Sequence, residues 1–173
     1  MLWSRKIALV LLAGLTTAPL GACGFSPVYG AHSSVGKSLN DVAITSMEGR
    51  VGQEVRNTLI EELTPNGSPS APNYFLDLKV NEDLNPLAIK RDASVTRFDY
   101  KLDASFSLRD SKTSEVLFSD TTQIITSANR LDQSEFASVI GVDDAKLRAA
   151  RAIGQDIARR LAAYFARQEN VTR

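Results

Sequence analysis

Hydrophobic and polar residues alternate in two different periods after residue 40. Val42 and Ile44 alternate with more polar neighbours and predict a short first strand within residues 41–47. Between residues 49 and 63 the apolar positions recur at helical spacing, which predicts an amphipathic helix with one face toward a core. Pro65, Pro69 and Pro72 then interrupt both patterns and predict a loop. The apolar stripe of the helix is Val51, Val55, Leu59, Ile60 and Leu63.

Three segments with a period of two follow the loop. The first of them runs from Tyr74 to Asn81 and predicts the second strand of the chain. The last of them lies in residues 115–126 and predicts the fourth strand. The segment between them, residues 96–110, is the most regular: from Phe98 to Leu108 every even position is apolar and every odd one is polar or charged. Such a strand is typical of an antiparallel sheet with one wet face. Residues 110–113 predict the turn that joins it to the fourth strand in a hairpin.

The strongest helical pattern is an apolar stripe that runs from Leu147 to Phe165. Acidic residues at its predicted start and arginines near its end complement a helix dipole, so capping and solvation explain the arginines, with ligand binding as the alternative. The order β-α-β-β-β-α predicts an α+β two-layer sandwich, with a largely antiparallel sheet of about four strands and two helices on one face. The charged residues are Asp143, Asp144, Arg159, Arg160 and Arg167.

The first 22 residues have the organisation of a secretory signal. Arg5 and Lys6 precede an apolar run over residues 7–15, which is shorter than the roughly 20 residues of a membrane span. Ordinary signal peptidase prefers small residues at −3 and −1, and Leu20 disfavours a cut after residue 22; a cut after Gly24 remains open. Cys23 is the one cysteine of the chain, so an internal disulfide is excluded.

Residues 20–23, Leu-Gly-Ala-Cys, resemble the bacterial lipobox. In that motif the cysteine thiol is acylated with diacylglycerol and the cysteine becomes the new N-terminus, so the resemblance implies that Cys23 is lipidated. Each methylene group of an acyl chain that is buried in the membrane contributes about 0.8 kcal/mol to the free energy of membrane binding, and two or more acyl chains give stable anchoring. The position after the cysteine is Gly24 rather than the aspartate that usually retains lipoproteins in the inner membrane, which implies an outer-membrane destination.

Charge and length describe the chain that remains after the signal. Loss of residues 1–22 removes two of the 20 basic residues and none of the 20 acidic ones, leaving a net charge of −2. No global basic field of the kind that binds nucleic acid is present. We therefore expect a signal peptide at 1–22, a lipidated tether at 23–40, a single α+β domain at 41–168 and a C-terminal tail at 169–173.

The residues that enzymes use are sparse. His32 is the one histidine and lies in the predicted tether, so no Ser-His-Asp set and no histidine-based metal site can be assembled. Adjacent acids such as Glu61 and Glu62 are typical of a solvated helix surface. The sequence therefore predicts a protein that is not an enzyme and has no cofactor and no metal.

Residues 23–30, CGFSPVYG, resemble the CGFxPLYG opening of the LPS-assembly lipoproteins of Gram-negative bacteria. Residues 94–98 (SVTRF) and 134–137 (SEFA) and the Ala- and Arg-rich last helix are also similar to segments of that family. The aromatic residues of the opening, Phe25 and Tyr29, would pack near the membrane surface or on the edge of the domain.

The resemblance implies a role in transport and assembly. A family member plugs and supports the outer-membrane LPS-assembly β-barrel, contacts LPS, and faces the periplasm on its lipid anchor. The expected partners are that barrel, LPS and the membrane, and no nucleic acid. An alternative from another class is an auxiliary or substrate-binding lipoprotein of an ABC-type transport system.

LPS phosphates would require local cations on this near-neutral chain. The candidates are Lys90 and Arg91, on a predicted loop after residues 85–87, together with Arg97 and Lys101 on the wet face of the long strand. Alternatively, the neighbouring acids Asp99 and Asp103 only neutralise the bases of that face.

Overall fold

The element order follows the predicted alternation of periods, with one additional helix. The computed structural model describes residues 33–89, 95–129 and 135–172. These residues form one four-stranded sheet and three helices, and the predicted α+β class is confirmed. In chain order the elements are α1 (Ser34–Asn40), β1 (Val42–Ile44), α2 (Gly49–Leu63), β2 (Tyr74–Ile89), β3 (Val95–Asp110), β4 (Val116–Asn129) and α3 (Glu135–Thr172).

The additional helix, α1, directly precedes the first strand. Ser33 caps it, since its Oγ accepts a hydrogen bond from the backbone N–H of Gly36 at 2.9 Å. Val35 and Leu39 lie one turn apart and are both buried, and α1 packs against α3. The predicted tether is therefore wrong over Ser34–Asn40, because two apolar residues are too few to reveal a helical period.

The helix α2 connects two parallel strands. β1 and β2 pair in parallel, with Val42 opposite Tyr74 and Ile44 opposite Leu76, and such a pair requires a crossover element. The sheet is thus mixed rather than wholly antiparallel. The apolar stripe predicted for α2 forms its core face, with four of its five members buried: Val51, Val55, Leu59 and Leu63.

The strands β2, β3 and β4 form an antiparallel meander in which one face is apolar. Leu108 of β3 lies opposite Leu76 of β2 and Phe118 of β4, so apolar residues form rows across the sheet. The predicted alternation of β3 is confirmed, since its even positions from Tyr100 to Leu108 are all buried. The sheet order is β1-β2-β3-β4.

β2 continues beyond Asn81, the residue at which the predicted second strand ends. Residues 85–87 lie within β2, and Pro86 is opposite Phe98 of β3. Proline has no N–H to donate, but β1 pairs with β2 only as far as Leu76, so among the described residues this part of β2 is an edge. The predicted second strand, which ends at Asn81, is therefore too short, because an edge strand tolerates proline.

Asp110 organises the turn between β3 and β4. Its Oδ1 accepts hydrogen bonds from the backbone N–H groups of Thr113 at 2.9 Å and Lys112 at 2.8 Å. These bonds stabilise the carboxylate and lower the pKa of Asp110. Ser114 adopts a left-handed φ of 59°, and the Asp110 N–H donates to the carbonyl of Glu115 at 3.0 Å. The predicted hairpin is confirmed.

The last helix is longer than its buried stripe predicts. α3 has 38 residues, which span about 57 Å at about 1.5 Å per residue. It begins at Glu135, so the predicted start at Asp143 and Asp144 is wrong. Asp143 instead lies 3.2 Å from Arg50 of α2, and Asp144 pairs with Arg148 one turn later. The early turns were missed because their large apolar side chains are exposed: Phe136, Val139 and Ile140.

The helices and the apolar face of the sheet enclose one core. α3 packs against β3, β4 and α2, and the two helices approach closely where Gly154 faces α2. A Cβ atom at Gly154 would lie 2.8 Å from Cβ and Cγ2 of Thr58, closer than unbonded carbons allow. The absence of a side chain at Gly154 therefore sets the spacing between α2 and α3.

Candidate functional site

The side of the sheet away from the helices is mostly polar and is a candidate binding surface. Side chains alternate across a strand, so the odd positions of β3 and their partners on β2 and β4 face away from the core. We call this surface the open face. Its charged and polar members are Asp77, Lys79, Asn81, Asp83, Asn85, Arg97, Asp99, Lys101, Asp103, Ser105, Ser107, Arg109, Ser119, Thr121, Gln123, Ser127 and Asn129.

Ion pairs across and along the strands neutralise much of the open face. The Arg109 Nε lies 2.5 Å from Asp77 Oδ2, and the hydrogen bond to Asp77 raises the pKa of Arg109. The Lys101 Nζ lies 3.2 Å from Asp103 Oδ2. Asp103 also accepts a hydrogen bond from Gln123 at 2.6 Å, and that bond, followed by Lys101, lowers the pKa of Asp103. The surface is therefore hydrated and zwitterionic rather than strongly basic.

Only two of the predicted LPS-binding residues fall in the described part of the chain. Arg97 and Lys101 lie on the open face of β3, four residues apart, a spacing of about 13 Å along a strand. Arg97 is exposed and forms no ion pair within the described residues, whereas Lys101 is held by Asp103. Lys90 and Arg91 lie outside the described residues, as does Cys23.

Asp99 does not neutralise Arg97 through an ion pair. Its carboxylate instead accepts a hydrogen bond from the Ser127 hydroxyl of β4 at 2.6 Å. The sequence offers the alternative that Asp99 and Asp103 neutralise the basic residues of this face. Among the described residues, Asp103 pairs with Lys101, and Asp99 forms no such pair.

A shallow concavity of about 590 Å³ lies in the middle of the open face. Lys79 is exposed at its border and pairs with Ser105 across the strands. The alternating period of β2 already assigned Lys79 to the wet side, but the sequence did not reveal its position beside this hollow. The polar lining is Lys79, Asn81, Asp103, Ser105, Thr121 and Gln123.

A second polar cluster joins α3 to β4 on the helix side of the sheet. Arg160 bridges two carboxylates, at 2.7 Å from Asp156 Oδ2 and 2.6 Å from Asp120 Oδ2. Burial raises the pKa of Asp156, but hydrogen bonds from Thr122, Arg160 and Arg159 outweigh burial and leave that pKa lowered. The interpretation of Arg159 and Arg160 as end caps is wrong, because α3 continues to Thr172 and both arginines pair with Asp156.

Tyr100 carries a buried polar contact near the other end of α3. Its ring is 1% exposed, and its hydroxyl donates a hydrogen bond to Glu82 Oε2 at 2.9 Å. Burial and the bond to Glu82 both raise the pKa of Tyr100. Lys146 lies over the ring, 5.9 Å from its centroid, and 3.9 Å from Glu82. This arrangement attaches α3 to the edge of β2.

Clusters of metal ligands and membrane-spanning helices are both absent from residues 33–89, 95–129 and 135–172. These residues contain no group of three or more His, Cys, Asp or Glu side chains that could hold a metal ion. None of the helices in this part of the chain is both long enough and apolar enough to span a membrane.

Known structures share this fold. A protein from Caulobacter crescentus described as a lipoprotein is 24% identical, with a TM-score of 0.66 over 79% of this chain and 98% of that one. Rare lipoprotein B from Shewanella oneidensis is 12% identical, with a TM-score of 0.58 over 74% of this chain and 96% of its own. Lipoprotein B from Nitrosomonas europaea is 16% identical, with a TM-score of 0.59 over 72% and 83%.

Sequence comparison assigns the family. No curated protein matches the chain in sequence. The model of the LptE lipopolysaccharide-assembly family matches residues 39–168, which include β1 through β4, α2 and most of α3. That match covers more than half of the chain, and it agrees with the resemblance found in the opening motif. The chain belongs to the LptE lipopolysaccharide-assembly family.

Proposed function

We propose that this protein is an outer-membrane lipoprotein that sits in the LPS-assembly β-barrel, supports it, and contacts LPS on its way to the outer leaflet. The observation that carries the proposal is the family match over residues 39–168. It favours this role over an auxiliary lipoprotein of an ABC-type transporter. In this role the domain acts by binding and not as an enzyme.

The polarity of the open face supports placement in a barrel lumen. The inner wall of such a barrel is polar and hydrated. The open face offers hydroxyls, amides and ion pairs such as Arg109 with Asp77, which remain satisfied beside water or other polar groups. Where its charges are paired, such a face can approach a wet wall without burying an unpaired charge.

The anchor in this proposal is Cys23, the cysteine of the lipobox-like motif. Two or more acyl chains on its thiol and amino group would hold the protein stably at the membrane without a spanning segment. The domain would then reach its partner from the periplasmic side of the outer membrane.

Among the described residues Arg97 is the best candidate for an LPS phosphate. It is exposed, it lies at one end of the open face, and the described residues provide no carboxylate that pairs with it. Lys101 would first have to leave Asp103, which lies 3.2 Å away. Lys90 and Arg91 remain proposed members of the same site, since they lie between β2 and β3 in the sequence.

Co-purification from membranes tests the role itself. The affinity-tagged full-length protein, extracted from outer membranes in mild detergent, is expected to bring down one large β-barrel protein, and depletion of the protein is expected to reduce surface LPS. Recovery without such a barrel, together with normal surface LPS after depletion, would refute the proposal.

A matched pair of charge reversals tests the cation site. Arg97→Glu is expected to weaken binding of purified LPS severalfold, because a phosphate contact becomes a repulsion. Arg167→Glu makes the same charge change on an exposed position of α3, outside the open face, and is expected to leave binding unchanged. Equal loss in both variants would indicate a nonspecific charge effect and remove Arg97 from the site.

A further inference from the structure

A groove with aromatic walls lies at the end of the domain where α3 ends and β2 begins. Its volume is about 400 Å³, and its walls come from α1, β2, β4 and α3. We call it the aromatic groove. Its lining includes Ser34, Val35, Tyr74, Leu117, Tyr164 and Phe165.

The rings of the aromatic groove form a continuous chain of contacts. The centroid of Phe165 lies 5.2 Å from that of Tyr74 and 5.3 Å from that of Tyr164. Tyr164 in turn stacks on Phe118 at 5.0 Å. Phe165 is buried, whereas the rings of Tyr74 and Tyr164 remain partly exposed. The exposed ring faces can therefore accept further aromatic or apolar side chains, since ring pairs at these distances are favourable.

Tyr74 occupies a partly buried position in the wall of the groove. Burial is the largest cause that raises the pKa of Tyr74, followed by the nearby Tyr164. The groove is open to solvent on one side, and an occupant with apolar surface would exclude water from its rings.

The chain enters the domain at the wall of this groove. Ser34 is the first residue of α1 and lines the groove, so the residues that precede it begin there. Residues 24–32 have the sequence GFSPVYGAH, with two aromatic rings, a proline and a valine. Tyr29 is four residues from Ser33, a distance of at most about 14 Å, and Phe25 is within about 28 Å. Both rings can reach the groove.

We propose that residues 25–29 of this chain dock in the aromatic groove, with Phe25 and Tyr29 packed against Tyr74 and Tyr164. The groove provides exposed ring faces, the segment provides rings within reach, and α1 directs the chain to the groove wall. The residues of the opening motif would then act within the protein itself, on the edge of the domain.

Docking would also set the distance between the domain and the membrane, a consequence that depends on the lipidation of Cys23 in the proposed function. An undocked chain from Cys23 to Ser33 spans up to about 35 Å, whereas only two residues, about 7 Å, separate Cys23 from a docked Phe25. The aromatic groove would then face the membrane. The exposed apolar residues Phe136 and Val139, at the far end of α3, would point away from it.

A single tryptophan at position 29 tests the docking. The one natural tryptophan is Trp3, so Trp3→Phe with Tyr29→Trp gives a full-length chain with one indole, which can be excited selectively at wavelengths above the absorption of tyrosine. In phosphatidylcholine vesicles the docked indole is expected to emit at shorter wavelength and to be quenched by acrylamide severalfold less than an indole introduced by Phe136→Trp, at a side chain that is 77% exposed.

If the indole at position 29 is docked, substitutions of groove residues should expose it to acrylamide. Tyr164→Ala is expected to restore most of the acrylamide quenching, and circular dichroism checks that the helices persist. Leu117→Ser removes apolar surface from the same groove at a partly exposed position, and it is expected to increase the quenching in the same way. It provides the test if Tyr164→Ala fails to fold. An indole that stays protected in a folded groove variant would overturn the proposal.

Two other occupants give different results. Quenching of the indole by brominated phospholipids, together with protection from acrylamide that persists in the groove variants, would mean that the segment lies in the membrane instead. Protection that falls on dilution would mean that the groove of a second copy binds it. Either result overturns intramolecular docking. The fluorescence requires neither LPS nor the barrel and does not depend on the lipid at Cys23, so it is independent of the proposed function.

Discussion

Because Gly154 contacts Thr58, we expect Gly154→Ala to lower the free energy of unfolding, whereas helix propensity alone would raise it. Replacing glycine by alanine in a helix interior normally stabilises by about 1 kcal/mol, because the glycine backbone loses more conformational freedom on folding. At Gly154 the added methyl group would lie 2.8 Å from Cβ and Cγ2 of Thr58 and 3.3 Å from the carbonyl oxygen of Val55. The first two distances are too short for unbonded carbons.

The size of the effect follows from the displacement that the methyl group requires. Carbon atoms attract best at about 3.5–4.0 Å, so α2 and α3 must separate locally by roughly an ångström. Insertion of a methylene into a packed core typically destabilises by about 1–3 kcal/mol. After subtraction of the propensity gain, we expect Gly154→Ala to lower the free energy of unfolding by about 0–2 kcal/mol.

Gly141 provides a matched control on the same helix. A Cβ atom there meets only the carbonyl oxygen of Asn129, at an ordinary 3.7 Å. Gly141→Ala should therefore stabilise the protein by about 0.5–1 kcal/mol. The two variants should differ by about 2 kcal/mol, or by about 1 M in the urea midpoint at a typical slope of about 2 kcal/mol per M.

Urea unfolding followed by circular dichroism, on both variants and the parent, measures this difference. Equal stabilisation by the two substitutions would show that α2 and α3 are not in contact at Gly154, and the helix packing described above would then be incorrect.

Three other interactions give further predictions. Tyr100→Phe removes the hydrogen bond to Glu82 and should lower the free energy of unfolding by about 1 kcal/mol, whereas unchanged urea stability would mean that the bond contributes nothing. Ser33→Ala removes the N-cap of α1 and should destabilise that helix by about 1 kcal/mol, seen as faster hydrogen exchange confined to α1. The pKa of Asp156 is lowered in the folded protein, so its stabilising contribution is present above about pH 4 and is lost as the pH falls through the folded pKa. Arg160→Gln removes one of the hydrogen bonds that lower this pKa, so the free energy of unfolding should fall less steeply as the pH drops below about 4. An unchanged pH dependence of the free energy of unfolding would show that Arg160 does not lower the pKa of Asp156.

Elements with a strict period were predictable because burial on one face leaves a direct trace in the sequence. The even positions of β3 and the stripe of α2 had to be apolar to reach the core, and each shows its period without ambiguity. The order of the elements then limits the fold to a two-layer α+β arrangement. The opening motif and the lipobox-like residues are likewise local strings, so the family could be identified from them.

Segments that are stabilised by distant contacts show no regular hydrophobic period in the sequence. α1 shows only Val35 and Leu39, and it is stable because both side chains enter a core that other elements build. The early turns of α3 carry apolar residues that remain exposed, so no buried stripe marked their start. β2 extends past the predicted end at Asn81 and through Pro86, because the shortness of β1 leaves that part of β2 an edge where proline is tolerated.

The candidate site divides in the same way. The sequence alone determined which charges lie on the wet side of β3, because alternation fixes the face of each side chain. It could not determine which charges remain available, since that depends on pairing across strands. The register sets Gln123 beside Asp103, and Asp103 holds Lys101, whereas Arg97 is exposed.

The period of two, the helical stripes and the N-terminal motif belong to the sequence by itself, because each depends on neighbours a few residues apart. The tertiary structure alone decided the close contact of Gly154 with α2, the ion pairs of Arg160 with Asp156 and Asp120, and the aromatic groove beside α1. Each of these joins residues that are distant in the chain. Such contacts are set by how elements pack in three dimensions, and local hydrophobic periodicity carries no information about them.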